Sequence, residues 1–203
     1  MKAVLFASSV RPGRMNDRVL KFASERLTES GNAVRIVDPK DIDLPILRTA
    51  LQFYANDSDV PEKLAELNSI IKEADILIFT TSEYNRCIPP ALSNMLDHLP
   101  HSTFAFKPAG IVAYTTGLDG GQQAAGQLRQ MLSELGCLVV PHSLVLYQVN
   151  ERLSVNGGLN GSSKAREALT SEMDLVIEQT VFVANRMHDH KPDYVLPKVH
   201  PYA

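Results

Sequence analysis

Three apolar runs in this chain each end in a polar, turn-prone stretch whose residue types suit the binding of an anion and a flat ring. Ala3-Val4-Leu5-Phe6-Ala7 leads into Ser8-Ser9-Val10-Arg11-Pro12-Gly13-Arg14-Met15-Asn16. Ile76-Leu77-Ile78-Phe79 leads into Thr80-Thr81-Ser82-Glu83-Tyr84-Asn85-Arg86-Cys87. Ala109-Gly110-Ile111-Val112-Ala113-Tyr114 leads into Thr115-Thr116-Gly117-Leu118-Asp119-Gly120-Gly121. In the first stretch Ser8 and Ser9 offer hydroxyls and Arg11 and Arg14 offer charge. Gly13 permits a tight turn before a helix start, whose free amides and positive dipole end attract anions. In the second, Tyr84 can lie against a planar ring, while Glu83 and Asn85 can meet its edge. In the third, Gly117, Gly120 and Gly121 let backbone amides approach a ligand, with Thr115 and Thr116 as further donors. Each stretch also has a plain structural reading: a solvated turn, an Asx turn at Asn85, a glycine linker. The three together carry more weight than any one.

These stretches must be brought to one place, and the surrounding pattern shows how. Strands are expected at about 2–7, 33–37, 75–80, 109–114 and 137–141, and helices at about 16–30, 60–73, 89–99, 120–135 and 163–187. Alternating strands and helices predict a parallel sheet covered by helices on both faces. In such a sheet, ligands bind at the carboxyl ends of the strands, where all three loops emerge. Asn16 is expected to cap the first helix and Gly31 to close it. Pro61 suits the first turn of the second helix, Pro89-Pro90 open the third, and Gly136 ends the fourth. Residues 38–59 and 142–162 are expected as long connections, a length that points to a functional or contact role. Residues 1–190 read as one domain, followed by an irregular proline-rich tail, 191–203.

The chain has 203 residues and a formal net charge of −3, a balance that gives no support to nucleic-acid binding. No segment approaches the roughly 18 apolar residues of a membrane span, and no secretory signal is visible, so a cytoplasmic protein is expected. Cys87 and Cys137 form no CxxC pair and read as reduced thiols. His188, His190 and His200 read as part of a solvated tail rather than a metal site. Neither the Walker pattern nor GxGxxG is present.

The strings Ser8-Ser9-x-Arg11-x-x-Arg14-x-Asn16, Ser82-Glu83-Tyr84-Asn85-x-Cys87-Ile88-Pro89, Leu92-x-Asn94-x-x-Asp97 and Gly117-x-x-Gly120-Gly121 resemble the NADPH-dependent FMN reductase family over about residues 1–140. That resemblance implies a flavodoxin-like three-layer α/β/α fold with a five-stranded parallel sheet in the order 2-1-3-4-5. It implies FMN as cofactor, with Ser9, Arg11 and Asn16 at the phosphate, Arg14 beside them, Ser82, Glu83, Tyr84 and Asn85 around the ring edge, and Thr116, Gly117 and Gly121 flanking the ring. It implies NADPH or NADH as electron donor, a small acceptor such as a quinone or free flavin, ping-pong turnover, and a homodimer or homotetramer. No catalytic acid or base is assigned; Tyr84 and Arg86 are expected to shape the acceptor pocket. The chain departs from the family's usual pattern at four places. It has Ser8 for glycine, Arg14 for serine or threonine, Cys87 for serine, and Pro90 for glycine. An azo or nitro reductase, an electron carrier and a flavin-free binding module are the alternative readings. Carriers tend to be strongly acidic, unlike this chain.

Overall fold

The computed structural model describes residues 1–189; the expected tail, with His190 and His200, lies outside them. Five strands, β1 (Lys2–Phe6), β2 (Ala33–Val37), β3 (Ile76–Ser82), β4 (Pro108–Tyr114) and β5 (Leu138–Leu146), form one parallel sheet in the order β2-β1-β3-β4-β5. The helices are α1 (Asn16–Glu29), α2 (Pro39–Ile42), α3 (Glu62–Glu73), α4 (Pro90–Asp97), α5 (His101–Phe104), α6 (Gln122–Glu134), α7 (Val149–Arg152) and α8 (Ser163–Asp189). This is the expected flavodoxin-like arrangement.

The central strands β3 and β4 are buried along their whole length. That is why they read as unbroken apolar runs rather than alternating ones. On one face Leu64, Leu67 and Ile71 of α3, Leu92 and Met95 of α4 and Leu128 and Leu132 of α6 pack on the sheet. There the rings of Phe6 and Phe79, neighbours in register, stack with centroids 4.2 Å apart. On the other face α1 buries Val19, Leu20, Phe22, Ala23 and Leu27, and α8 buries Leu169, Met173, Val176 and Ile177. Both helices carry their apolar residues at helical spacing, so each presents one stripe to the sheet.

The end signals hold at most places. Pro90 opens α4, and Gly31 and Gly136, with φ of +78° and +91°, follow the ends of α1 and α6 in the left-handed conformation. Two expectations need correction. Asn16 does not cap α1: Met15 stands at the cap position, and no side chain bonds the first turn. The last strand does not stop at 141 but continues to Leu146. Its pairing with β4 jumps from Ala109↔Val139 to Ile111↔Ser143, so the stretch around Pro141 bulges out of the ladder. An edge strand tolerates proline at a bulge, and pairing resumes beyond it. The connection expected over 142–162 is therefore shorter, and it contains α7. The connection over 38–59 holds α2 and two 3₁₀ turns, Leu51–Phe53 and Asp57–Asp59.

Candidate functional site

The three loops meet at the carboxyl end of the sheet around a cavity of about 310 Å³. Of the residues expected there, Ser9, Arg11, Arg14, Ser82, Glu83, Tyr84 and Thr116 line it. Asn16, Asn85, Gly117 and Gly121 are not among the residues that line it. Thr115, expected as a donor, lines it too, and Met15 and Tyr114 line it without having been singled out.

Asn16 is wholly buried and acts as the internal tie of the first loop. Its Oδ1 accepts from the amides of Ser8 (2.7 Å) and Ser9 (3.2 Å), and its Nδ2 donates to Thr80 Oγ1 (2.7 Å). Thr80 in turn donates to the Phe6 carbonyl at 2.7 Å. The loop is thus bolted to β1 and β3, and the Asn16 side chain is wholly buried beneath it. The amides of Ser8 and Ser9 are engaged as well, and the Ser9 hydroxyl accepts from the Arg11 amide at 3.3 Å; the exposed Arg11 and the first turn of α1 are the groups suited to an anion.

Arg14 is drawn inward. Its side chain and that of Asp38 are each 8% exposed, and the two form a two-pronged ion pair, Nη1 to Oδ1 at 2.8 Å and Nη2 to Oδ2. Nη1 also donates to the Ser9 carbonyl, and Nε donates to Asp17 at 2.8 Å. The hydrogen bonding of the guanidinium to Asp38 is the main cause that holds it above its ordinary range. Asp38 also accepts from the Lys40 amide at 2.9 Å, capping α2. Arg14 therefore braces the loop from below. The sequence signal for this was faint: Asp38 read only as part of a turn before Pro39.

Tyr84 and Cys87 close a tight turn through two backbone bonds, 2.8 and 2.9 Å, with Asn85 and Arg86 at its tip at φ of +53° and +64°. Two successive left-handed residues make this a type I′ turn, which asparagine tolerates well. Asn85 and Arg86 are exposed at that tip. Tyr84 folds back over the first loop: its hydroxyl sits 2.5 Å from Ser9 Oγ, and the Arg11 guanidinium lies 5.3 Å above its ring. Glu83 joins the second loop to the third, its Oε2 accepting from the Gln123 and Ala124 amides at 3.0 and 3.1 Å. A carboxylate there complements the positive end of α6, which has no side-chain cap of its own.

In the third loop Thr115 Oγ1 accepts from the Gly117 amide at 2.8 Å. Gly120 is required by space: a Cβ there would come 2.3 Å from Val145 Cγ1, and its φ is +66°. Cys87 is exposed, with Gln127 Nε2 3.5 Å from its sulfur. Among the described residues no group of three His, Cys, Asp or Glu side chains could hold a metal. A wider groove of about 660 Å³ lies at the opposite end of the sheet. Its one lysine, Lys107, is bound to the Lys72 and Ala74 carbonyls at 2.9 and 2.7 Å, closing α3.

The cavity suits a flavin mononucleotide. A helix start, a serine hydroxyl and one exposed arginine meet at one end, and the 83–84 and 115–116 segments also line it. Ser82 and Tyr114, both buried and both bearing hydroxyls, line it as well. A doubly wound parallel sheet with this site at its carboxyl edge defines a flavodoxin-like flavin-binding protein. Residues 1–151 match the model of the NADPH-dependent FMN reductase family, and the chain belongs to it.

Among proteins of known activity, the chain is 29% identical over 151 residues to the NAD(P)H-dependent FMN reductase of Saccharomyces cerevisiae, covering 69% of this chain and 78% of the yeast protein. It is 30% identical over 141 residues to a quinone reductase of Pseudomonas putida, covering 66% and 72% of the two chains. Among solved structures, it superposes on a flavoenzyme NAD(P)H:acceptor oxidoreductase of Paracoccus denitrificans with a TM-score of 0.72 at 21% identity, covering 89% of this chain and 97% of that one. At that identity the superposition speaks to the fold. No helix among the described residues is long and apolar enough to cross a membrane.

Proposed function

We propose that the protein is an FMN-dependent NAD(P)H oxidoreductase that reduces a small acceptor such as a quinone or free flavin. The observation that carries this reading is the convergence of all three loops on one cavity with an anion-facing end, in a chain of this family. Bound there, FMN supplies two-electron transfer from NAD(P)H to the acceptor. The chain's part is to bind and orient. Arg11, the Ser9 hydroxyl and the first turn of α1 receive the phosphate, and Asn16 and Arg14 hold that loop in shape beneath it. Glu83 keeps the second and third loops together, while Tyr84, Thr115 and Thr116 wall the cavity. One cavity that serves donor and acceptor in turn gives ping-pong kinetics.

The reading extends to a cytoplasmic homodimer or homotetramer. The long connections support the contact surfaces this needs: Ile46, Phe53 and Tyr147 are 83%, 59% and 43% exposed, as is Leu118 of the third loop at 79%, while Tyr54 packs on the core. Such exposure marks contact surfaces when it is clustered.

An absorbance spectrum of the purified protein, taken before and after FMN and then after NADPH without oxygen, tests the function. A flavin spectrum that bleaches with NADPH is expected. Bound flavin that neither NADPH nor NADH reduces would replace the reductase with an electron carrier. A panel of quinone, free flavin and azo dye then separates the acceptor classes.

A further inference from the structure

The groove at the amino end of the sheet plays no part in the flavin reading. It is lined by the segments that lead into β3 and β4, Ala74-Asp75 and Ala105 to Pro108, and by the last turns of α8. Its volume of about 660 Å³ lies in the range that accommodates a drug-sized ligand or a short stretch of chain. The two charged side chains that line it already have partners. Asp75 Oδ2 accepts from the Lys2 amide at 2.7 Å, and Lys107 Nζ donates to the Lys72 and Ala74 carbonyls. What the groove offers is apolar surface: Met1, Ala105, Phe106 and Met187 line it and are each half-buried. Phe106 is held there at φ +60°, its amide donating to the Gly136 carbonyl at 2.8 Å. A bulky aromatic rarely adopts that conformation, and backbone strain of this kind gathers where something binds.

The chain itself supplies an occupant. Ala184, Met187 and His188 of α8 line the groove and the helix ends at Asp189, so residues 190–203 start at its rim. Pro192 cannot extend a helix, and the residue before a proline is turned away from helical geometry as well. The chain must therefore leave the α8 axis beside the groove. Tyr194-Val195-Leu196 follow, an uncharged apolar run. At about 3.3 Å per residue, the stretch from His190 to Leu196 reaches roughly 23 Å. The adjacent ends of β1, β3 and β4 span only about 10 Å, at roughly 4.8 Å per strand. A tethered segment also acts at an effective concentration on the order of millimolar, which favours it over a partner free in solution.

We propose that residues 190–203 bind in this groove, seating Tyr194-Val195-Leu196 against Met1, Ala105, Phe106 and Met187. The tail then clamps the last turns of α8 to the amino edge of the sheet. The assignment does not depend on the flavin reading, because the flavin cavity lies at the opposite edge.

Thermal melting and amide hydrogen exchange test it in the full chain, a chain ending at Asp189, and the full chain carrying Leu196→Asp. Ending the chain at Asp189 is expected to lower the melting temperature by roughly 3–8 °C, the scale of unseating two or three apolar side chains in a protein this size. The amides of residues 105–107 and 184–188 should exchange faster, and a synthetic peptide of residues 190–203 added to the shortened chain should restore their protection. Leu196→Asp should reproduce both losses in the full-length chain, and it decides the matter if the shortened chain does not fold. Unchanged melting and exchange in Leu196→Asp overturn the assignment. So does protection that fades when the full chain is diluted, which would put the tail of a second copy in the groove.

Discussion

Replacing Arg14 by alanine should destabilise the flavin-free protein. Arg14 and Asp38 are 8% exposed, and the guanidinium holds both carboxylate oxygens of Asp38, the Ser9 carbonyl and Asp17. Without it, Asp38 keeps only the Lys40 amide for its buried charge. Removing one partner of a buried pair costs roughly 3–5 kcal/mol, and the lower end applies here because the pair borders an open cavity that admits water. We therefore expect a loss of about 3 kcal/mol, which lowers the melting temperature of a chain this size by roughly 6–12 °C. Asp38→Ala should cost a similar amount. The double variant should be about 2 kcal/mol more stable than the sum of the single changes predicts, the signature of two residues that act through each other. Urea and thermal unfolding without flavin measure all three. If Arg14→Ala unfolds like wild type within about 0.5 kcal/mol and only FMN binding suffers, Arg14 is a phosphate ligand and the bracing role is wrong.

Other changes should separate ligand contacts from scaffolding. Arg11, exposed above the Tyr84 ring, should weaken FMN binding by at least about 1 kcal/mol when changed to alanine, with no change in melting temperature; an unaltered dissociation constant would remove it from the phosphate site. Glu83→Ala should lower stability by about 1 kcal/mol through loss of the α6 cap, read by unfolding without ligand. Gly120→Ala should cost roughly 1–3 kcal/mol, since its Cβ meets Val145 at a left-handed position; a variant as stable as wild type would show that the third loop can shift freely.

What the sequence determined by itself was the scaffold and the place of the site. The runs at 3–7, 76–79 and 109–114 are unbroken because their strands are buried on both faces, and that pattern is local. Loop composition after each run then pointed to the carboxyl edge, since strand and loop are neighbours along the chain. Helix ends at Gly31, Pro90 and Gly136 were legible for the same reason: one residue's backbone preference settles them.

What tertiary structure decided was the direction in which each polar side chain turns. Asn16 looked like a cap, but Thr80, 64 positions away, offers a buried partner and draws it inward. Arg14 looked like a phosphate ligand until Asp38 came alongside, and Glu83 looked like a ring contact until the start of α6 did. The second half of β5 was hidden by Pro141, because only the neighbouring β4 resumes the ladder past the bulge. Tyr114 read as the end of an apolar strand. Its place beside Ser82 at the cavity became visible only when β3 and β4 lay side by side. Hydrogen-bond partners distant along the chain leave no local pattern in it, so the roles they assign emerge only on folding.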